Sequence, residues 1–455
     1  MYLVERLAVG DLRIGTLHSR HAVPLYSNWN VNISLWLLPA LAVLGGLLAA
    51  CRSLFLEARL SIGHTLLAAF AFFLAVGFAV SAIDLRRQDD GSWFLPWEYA
   101  YGQKALEYWG DVPRVDRWGG VPAFLERYST PVYFDRLSFH AATHPPGGVL
   151  FLWLASLPFG HALWSAVVAT VTFAGLSLAP LFLVARRLYG DSVARRALAL
   201  YLLAPNIVLF TTTSMDGPFS VFPVTSLWLF YEAAFETGPR PSARGVALGA
   251  AVALSAFMTY ASCLMGLFFG VTAALSWVAD RERLRRMLWS LAAALSTFVA
   301  LFAALQLSTG FRPIRALRLS LARDEAGMGS GYENLERFLQ IGFCNLLAFL
   351  LAAGIPLTVL WLLELRRALA ARLRGSSDVF VVASAATLLL AAFSTLFTAE
   401  VERIWLFLVP FLVIPAAKRL DEWRRLTASD APFYAVAVLL CAQTVGFEVV
   451  LNTRW

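Results

Sequence analysis

The sequence predicts an all-α, polytopic transmembrane helical bundle of about 11–13 helices, with a long extracytoplasmic first loop that carries interfacial helices. Three observations lead there. Of 455 residues, 59% are hydrophobic and only 15% charged, and mean hydropathy is +0.66, well above that of a soluble domain. Apolar stretches near the roughly 20 residues that a hydrocarbon core demands recur along the whole chain. Basic residues gather in the connectors between those stretches, as topology signals do.

Taken in order, the expected spans are 32–50, 62–83, 162–185, 192–210, 217–236, 245–260, 261–278, 287–309, 338–363, 379–398, 404–417 and 431–450. Val149–Phe159 is too short to cross. The residues Pro145, Pro146, Gly147, Gly148, Pro158 and Gly160 at its ends suit a re-entrant segment or a split neighbouring helix, tolerated where protein or a cavity surrounds it. Clusters at Arg52/Arg59, Arg186/Arg187/Arg195/Arg196, Arg240/Arg244, Arg281/Arg283/Arg285/Arg286, Arg366/Arg367/Arg372/Arg374 and Lys418/Arg419/Arg424/Arg425 are placed in the cytoplasm. The connectors 84–144, 211–216, 310–337 and 399–403 then face the other side. The formal charge of +7 thereby reports topology, not affinity for nucleic acid.

Alternation puts Met1–Asn30 outside despite Arg6, Arg13 and Arg20, and no signal-peptide pattern is present, so no cleavage is expected. Cys51, Cys263, Cys344 and Cys441 lack paired spacing and read as small core residues, with neither disulfide nor zinc site. Three segments organise the chain: 1–61, the N-terminal segment and first helix; 62–236, a catalytic-type module that includes loop 84–146; and 237–455, the C-terminal helices.

The polar stretch Asp84–Thr143 holds nine carboxylates with several Trp and Tyr residues. Within it, Trp97–Trp109 and Val121–Tyr128 are short, aromatic and of mixed charge, as expected of helices lying in the interface plane. They would roof a cavity. Aromatic rings suit a sugar, carboxylates accept hydroxyl protons, and Arg or Lys holds phosphate. The stretch ends in His144-Pro145-Pro146-Gly147, whose prolines enforce an extended entry before a helix start. Such a start directs amides, with His144 beside them, at an anion. His140 lies four residues upstream; a metal pair would also need a placed carboxylate. Asp216, in Thr211-Thr-Thr-Ser-Met-Asp-Gly-Pro, either caps the helix it opens or faces the same cavity. In Thr398-Ala-Glu400-Val-Glu402-Arg403-Ile-Trp, charges meet the mouth of a helix, and Arg403 either pairs with glutamate or binds phosphate.

The order of these motifs, with Ala185-Arg-Arg-Leu-Tyr-Gly190, Ser214-Met-Asp-Gly-Pro218 and Glu402-Arg-Ile-Trp-Leu-Phe-Leu-Val-Pro410 between and after them, resembles the C-type (GT-C fold) membrane glycosyltransferases. Protein O-mannosyltransferases and lipid A aminoarabinose transferases are members. The resemblance covers about residues 62–418. It implies transfer of a sugar from a polyprenyl-phosphate-linked donor to an acceptor glycan, lipid or protein on the extracytoplasmic face, with inversion and a loop carboxylate as general base. The bilayer and the lipid-linked sugar are the implied partners, nucleic acid is not, and a bacterial plasma membrane is the implied location. No cofactor is specified, and a divalent-metal requirement stays open.

The family's base is an Asp of an Asp-Glu pair; Trp97 stands in its place before Glu98, with Tyr101, Gly102 and Tyr108 following. Asp111 and Glu98 lead as candidate bases, ahead of Asp89 and Asp90. By resemblance His144 lies beside the carrier phosphate with Arg403, and Lys104 is a further cation there. Asp216, His140 and Glu402 line the cavity. A transporter or flippase for a lipid-linked or sugar substrate shares the helix count, but its ionisable residues should gather near the bilayer midplane. Here they gather in one loop and two turns on one face.

Overall fold

The computed structural model describes residues 24–25, 27–57, 59–87, 91, 93–102, 107–235, 243–279, 281–329, 332–373 and 375–452. The described chain is helical, apart from short strand pairs: Asn28–Trp29 with Leu451–Asn452, and Arg86–Arg87 with Trp93–Phe94. Among the described residues seven helices are long and apolar enough to cross a membrane: Leu37–Leu56, Ile62–Asp84, Leu163–Tyr189, Tyr260–Trp277, Arg281–Thr309, Leu335–Ala353 and Ala431–Val450. Three shorter apolar helices join them: Gly147–Phe159, Ala243–Met258 and Ser376–Ala392. This is an integral membrane protein, a polytopic helical bundle. The chain divides into two compact units.

One unit comprises the described parts of Met1–Pro96, Leu178–Thr212 and Met328–Arg454. Its helices start where local chemistry permits: Ser61 caps Ile62–Ser81 by accepting the His64 N–H, and Asn334 caps Leu335–Ala353 by accepting the Arg337 N–H at 2.8 Å. Two expected spans are broken. The stretch 192–210 ends as helix at Leu203, because Pro205 forces Ala204 to an extended ψ of 122°, and restarts as Pro205–Phe210. The stretch 338–363 breaks at Gly354, whose φ of +121° ends one helix before Ile355–Ala370 begins with Pro356 in its first turn.

A break among apolar helices strands backbone groups, which are costly without water. Gln443 meets both sides of this one. Its Nε2 donates to the Leu351 carbonyl at 2.7 Å, and its Oε1 accepts the Ile355 N–H at 2.9 Å.

Two arginines of the cluster assigned to the cytoplasmic side, both within the expected span 192–210, are buried. Arg195 donates to the Thr65 hydroxyl at 2.6 Å and the Leu60 carbonyl at 2.7 Å. Arg196 pairs with Asp421 at 3.1 Å and Asp430 at 3.0 Å. A buried cation persists only when so compensated. The segment Leu406–Ala417 is likewise buried on all sides, which makes it a core helix in this unit.

The other unit comprises Trp97–Ser177 and Thr213–Gly327. Its long helices Asp216–Ala234, Ala243–Met258 and Arg281–Thr309 pack in succession. Gly245 and Gly249 bring the second against the third: a Cβ at Gly249 would strike the Ala294 carbonyl oxygen and sit 2.7 Å from Thr297 Cβ. The short run read as Val149–Phe159 is a helix, Gly147–Ser156, with a 3-10 turn Leu157–Phe159. At 1.5 Å per residue it is about 20 Å long, short of a hydrocarbon core of about 30 Å. Left-handed Gly160 (φ +63°) and His161 (φ +59°) reverse the chain after it.

Gly354 makes a test of the first break. Alanine there would adopt a disfavoured φ, and its Cβ would meet Leu440 Cδ2 at 2.5 Å. Gly354→Ala should destabilise the protein by about 2 kcal/mol, read as a lowered thermal midpoint in detergent.

Candidate functional site

The loop of the second unit is a packed body with its own aromatic core. Val112–Arg117 and Val121–Tyr128 lie side by side, and Trp118 stacks on Phe124 at 5.5 Å and meets Tyr133 edge-on at 5.5 Å. Val121–Tyr128 is helical as expected, whereas Trp97–Trp109 is helical only over Pro96–Gly102 among the described residues, with a 3-10 turn at Tyr108–Asp111.

Asp111 is 1% exposed, and both its oxygens are engaged. One pairs with Arg114 Nε, a neighbour across one helical turn, and the other accepts the Ser138 N–H at 2.8 Å. This carboxylate ties the start of Val112–Arg117 to the entry of the Phe139–Thr143 helix. Tyr128 does the next piece. Its hydroxyl sits between the carbonyls of Ala141 and His144, 2.6 Å from the latter. Burial above all, then the nearby Tyr260 and Asp111, pushes its phenol well above the ordinary value, so it remains a donor.

The turn so held presents His144. Its Nδ1 lies 3.1 Å from the His140 carbonyl and 3.3 Å from Thr143 Oγ1. A carbonyl only accepts, so Nδ1 carries the hydrogen and Nε2 is the atom that changes role on protonation. The imidazole stacks on Phe219 at 5.7 Å and 25°, and Tyr108 meets it edge-on at 5.6 Å. Gly147 and Gly148 follow in tight quarters. A Cβ on Gly147 would collide with the Phe257 carbonyl, and one on Gly148 would come within 3.1 Å of Phe219 and Tyr108. The two glycines serve close packing against neighbouring helices.

Beside His144, the His140 Nδ1 lies 3.2 Å from the carboxylate of Glu107, which is 7% exposed. Tyr101 docks the Pro96–Gly102 helix onto the turn before Asp216: its hydroxyl donates to the Ser214 carbonyl at 3.3 Å, and the Asp216 N–H donates to Ser214 Oγ at 3.2 Å. Burial pushes the Tyr101 phenol up; a hydrogen bond with Thr170 opposes this, and the negative charges of Glu107 and Asp216 add to it. Those two carboxylates therefore share one electrostatic neighbourhood. Asp216 is buried in the first turn of its helix, after Met215 at the cap position. There a negative charge complements the helix N-terminus.

Of the residues singled out from sequence, the structure brings Asp111, His140, His144 and Asp216 into this unit, with half-buried Glu98 on the Pro96–Gly102 helix. Arg403 and Glu402 belong to the other unit. There Arg403 pairs with Glu400, whose backbone is left-handed at φ +63°, and the Glu402 carbonyl accepts Asn206 Nδ2 at 3.2 Å. Asp89, Asp90 and Lys104 lie outside the described residues. Tyr101 and Tyr108 entered the sequence reading only as motif neighbours of Glu98, and Glu107 was given no role; only the fold brings Glu107 to His140, and no local spacing announces it. Among the described residues no three His, Cys, Asp or Glu side chains converge as a metal site.

Residues 143–305 match the family model described as dolichyl-phosphate-mannose-protein mannosyltransferase. Among solved structures, ArnT from Cupriavidus metallidurans in the apo state is similar over 86% of this chain and 78% of its own, with 16% identity and a TM-score of 0.55. ArnT from the same organism bound to undecaprenyl phosphate is similar over 86% and 77%, with 14% identity and a TM-score of 0.54. An oligosaccharyltransferase from Archaeoglobus fulgidus, in complex with Zn and sulfate, is similar over 83% of this chain and 53% of its own, at 13% identity and a TM-score of 0.50. No curated protein sequence matches the chain.

Removing the Tyr128 hydroxyl strands the two carbonyls it serves. Tyr128→Phe should destabilise the protein by about 1–3 kcal/mol, checked by thermal unfolding in detergent.

Proposed function

We propose, from the family-model match over residues 143–305 and the likeness in fold to ArnT, that this chain is a C-type membrane glycosyltransferase that transfers a sugar from a polyprenyl-phosphate carrier to an acceptor on the extracytoplasmic face. The observation that carries the reading is the buried Glu107–His140 pair set beside the His144-Pro-Pro-Gly turn. A carboxylate can take the acceptor proton and an imidazolium can stabilise the leaving phosphate, the two tasks of glycosyl transfer from a lipid phosphate. The undecaprenyl phosphate bound by ArnT supports a carrier of that chemistry, and the apolar helices offer its tail a lipid-like surface.

In this mechanism Glu107 is the general base. Its carboxylate takes the acceptor hydroxyl proton while that oxygen attacks the anomeric carbon, and the bond from that carbon to the phosphate oxygen breaks. The phosphate leaves with the electron pair, on the face opposite to attack, so configuration inverts. His144, through Nε2 in its protonated form, donates to the developing phosphate charge. His140 positions the Glu107 carboxylate by its 3.2 Å contact. Aromatic Tyr108 and Phe219 wall the imidazole and exclude water. Glu98 is the alternative base, from the same helix that carries Tyr101. Asp111, with both oxygens engaged, holds the loop in shape.

The test uses purified protein with a panel of polyprenyl-phosphate sugars, read by mass spectrometry for hydrolysis or transfer. Glu107→Gln should lower turnover by about 100-fold or more while donor is still retained. Asp111→Asn should instead lower the thermal midpoint. Wild-type turnover by Glu107→Gln would remove it as the base, and loss in Glu98→Gln alone would transfer the role.

A further inference from the structure

We infer that the groove at the Arg281 end of the Arg281–Thr309 helix binds the headgroup of an anionic phospholipid from the surrounding leaflet. The groove encloses about 480 Å³ and is lined by Trp277, Arg281, Leu284, Arg285, Leu288 and Trp289. Four of these, Trp277, Arg281, Arg285 and Trp289, recur at intervals of four residues. Within the helix that interval places Arg281, Arg285 and Trp289 on one face, rising about 6 Å per step.

The side chains there are turned outward. Trp277 is 61% exposed and Trp289 is 55% exposed, and only 11% of the helix's apolar window is buried. In a membrane protein such a surface meets lipid. Tryptophans settle at the headgroup level, and that depth is where a lipid phosphate lies.

Charge then selects the lipid. Four arginines fall between 281 and 286. Arg286 pairs with Glu282 at 2.9 Å, and Arg283 lies over the Phe235 ring at 4.7 Å. Those two face partners in the protein. Among the described residues Arg281 and Arg285, the two that line the groove, have no carboxylate partner; Arg281 lies 5.8 Å from the Trp277 ring centroid. Two guanidinium groups flanked by indoles at the interface form a clamp for a phosphodiester. Leu284 and Leu288 offer the acyl chains an apolar floor. The inference stands apart from the glycosyltransferase reading, since the groove shares no residue with Glu107, His140 or His144.

The experiment compares lipids retained by the full chain after extraction from vesicles of phosphatidylglycerol and phosphatidylcholine in equal amounts, by native mass spectrometry. Wild type should retain phosphatidylglycerol preferentially. Arg281→Gln with Arg285→Gln should lower that preference about 25-fold, a factor of about five for each arginine, and Arg281→Lys with Arg285→Lys should restore part of it. Arg315→Gln with Arg318→Gln, exposed arginines beyond the other end of the helix, should leave it unchanged. An unchanged preference in the 281/285 glutamine variant, or an equal loss in the 315/318 control, overturns the proposal. So does competition by inorganic phosphate at equal concentration or, when undecaprenyl phosphate is added to the vesicles in equal amount, its selective loss from the 281/285 glutamine variant instead of phosphatidylglycerol.

Discussion

The hydroxyl of Tyr128, held between the carbonyls of Ala141 and His144, is the interaction on which the candidate site depends. It fixes the backbone on both sides of the point where a polar loop becomes an apolar helix. Everything that makes His144 useful follows: the Nδ1 contact to the His140 carbonyl, the stack on Phe219, and the approach of Gly147 to the Phe257 backbone. Asp111 does the same one layer out, joining the Val112–Arg117 helix to Ser138. Buried groups tied by hydrogen bonds in this way give rigidity as well as stability, and the proposed transfer needs rigidity to hold its donors in place.

The same constraint governs the other unit. Apolar surroundings penalise every unpaired backbone group, so each break in a helix must carry its own compensation. At Gly354 one side chain, Gln443, supplies a donor and an acceptor. Arg196 shows the ionic version, with Asp421 and Asp430 on one guanidinium. Removing a single partner from such a set leaves a buried charge, which costs more than the pair was worth.

Length and apolarity suffice to locate the long helices: the expected span 431–450 coincides with Ala431–Val450, and 62–83 falls within Ile62–Asp84. They do not see backbone dihedrals, so Gly354 and Pro205 were read through as if the helices continued. A charge near a helix end also reads the same whether solvated or buried, so the burial of Arg195 and Arg196 is visible only in the structure. In the loop, His144 was legible because Pro-Pro-Gly is a local signal of a fixed turn. Glu107 was not, because its partner His140 arrives through the folding of four intervening short helices. Asp111 stood out as a carboxylate in a polar stretch, and composition cannot reveal that both of its oxygens are already engaged.

Under the proposed mechanism, Trp97 in the place where the resemblance expects a carboxylate leaves the role of base to a neighbouring segment. Tyr101 is anchored to Ser214, next to Asp216, and its phenol feels both Glu107 and Asp216. The helix that carries Trp97 therefore still anchors the carboxylate neighbourhood, although the carboxylate that contacts imidazole comes from the following turn. Transition-state stabilisation depends on where donors and acceptors stand, not on which segment delivers them. With Glu107 docked on His140, and His140 one helical turn from His144, the proposed proton acceptor and the proposed phosphate donor are both tied to the Phe139–Thr143 helix. Its position is set by Asp111 and Tyr128, so under the proposed mechanism these two residues act by positioning, without needing to touch a substrate.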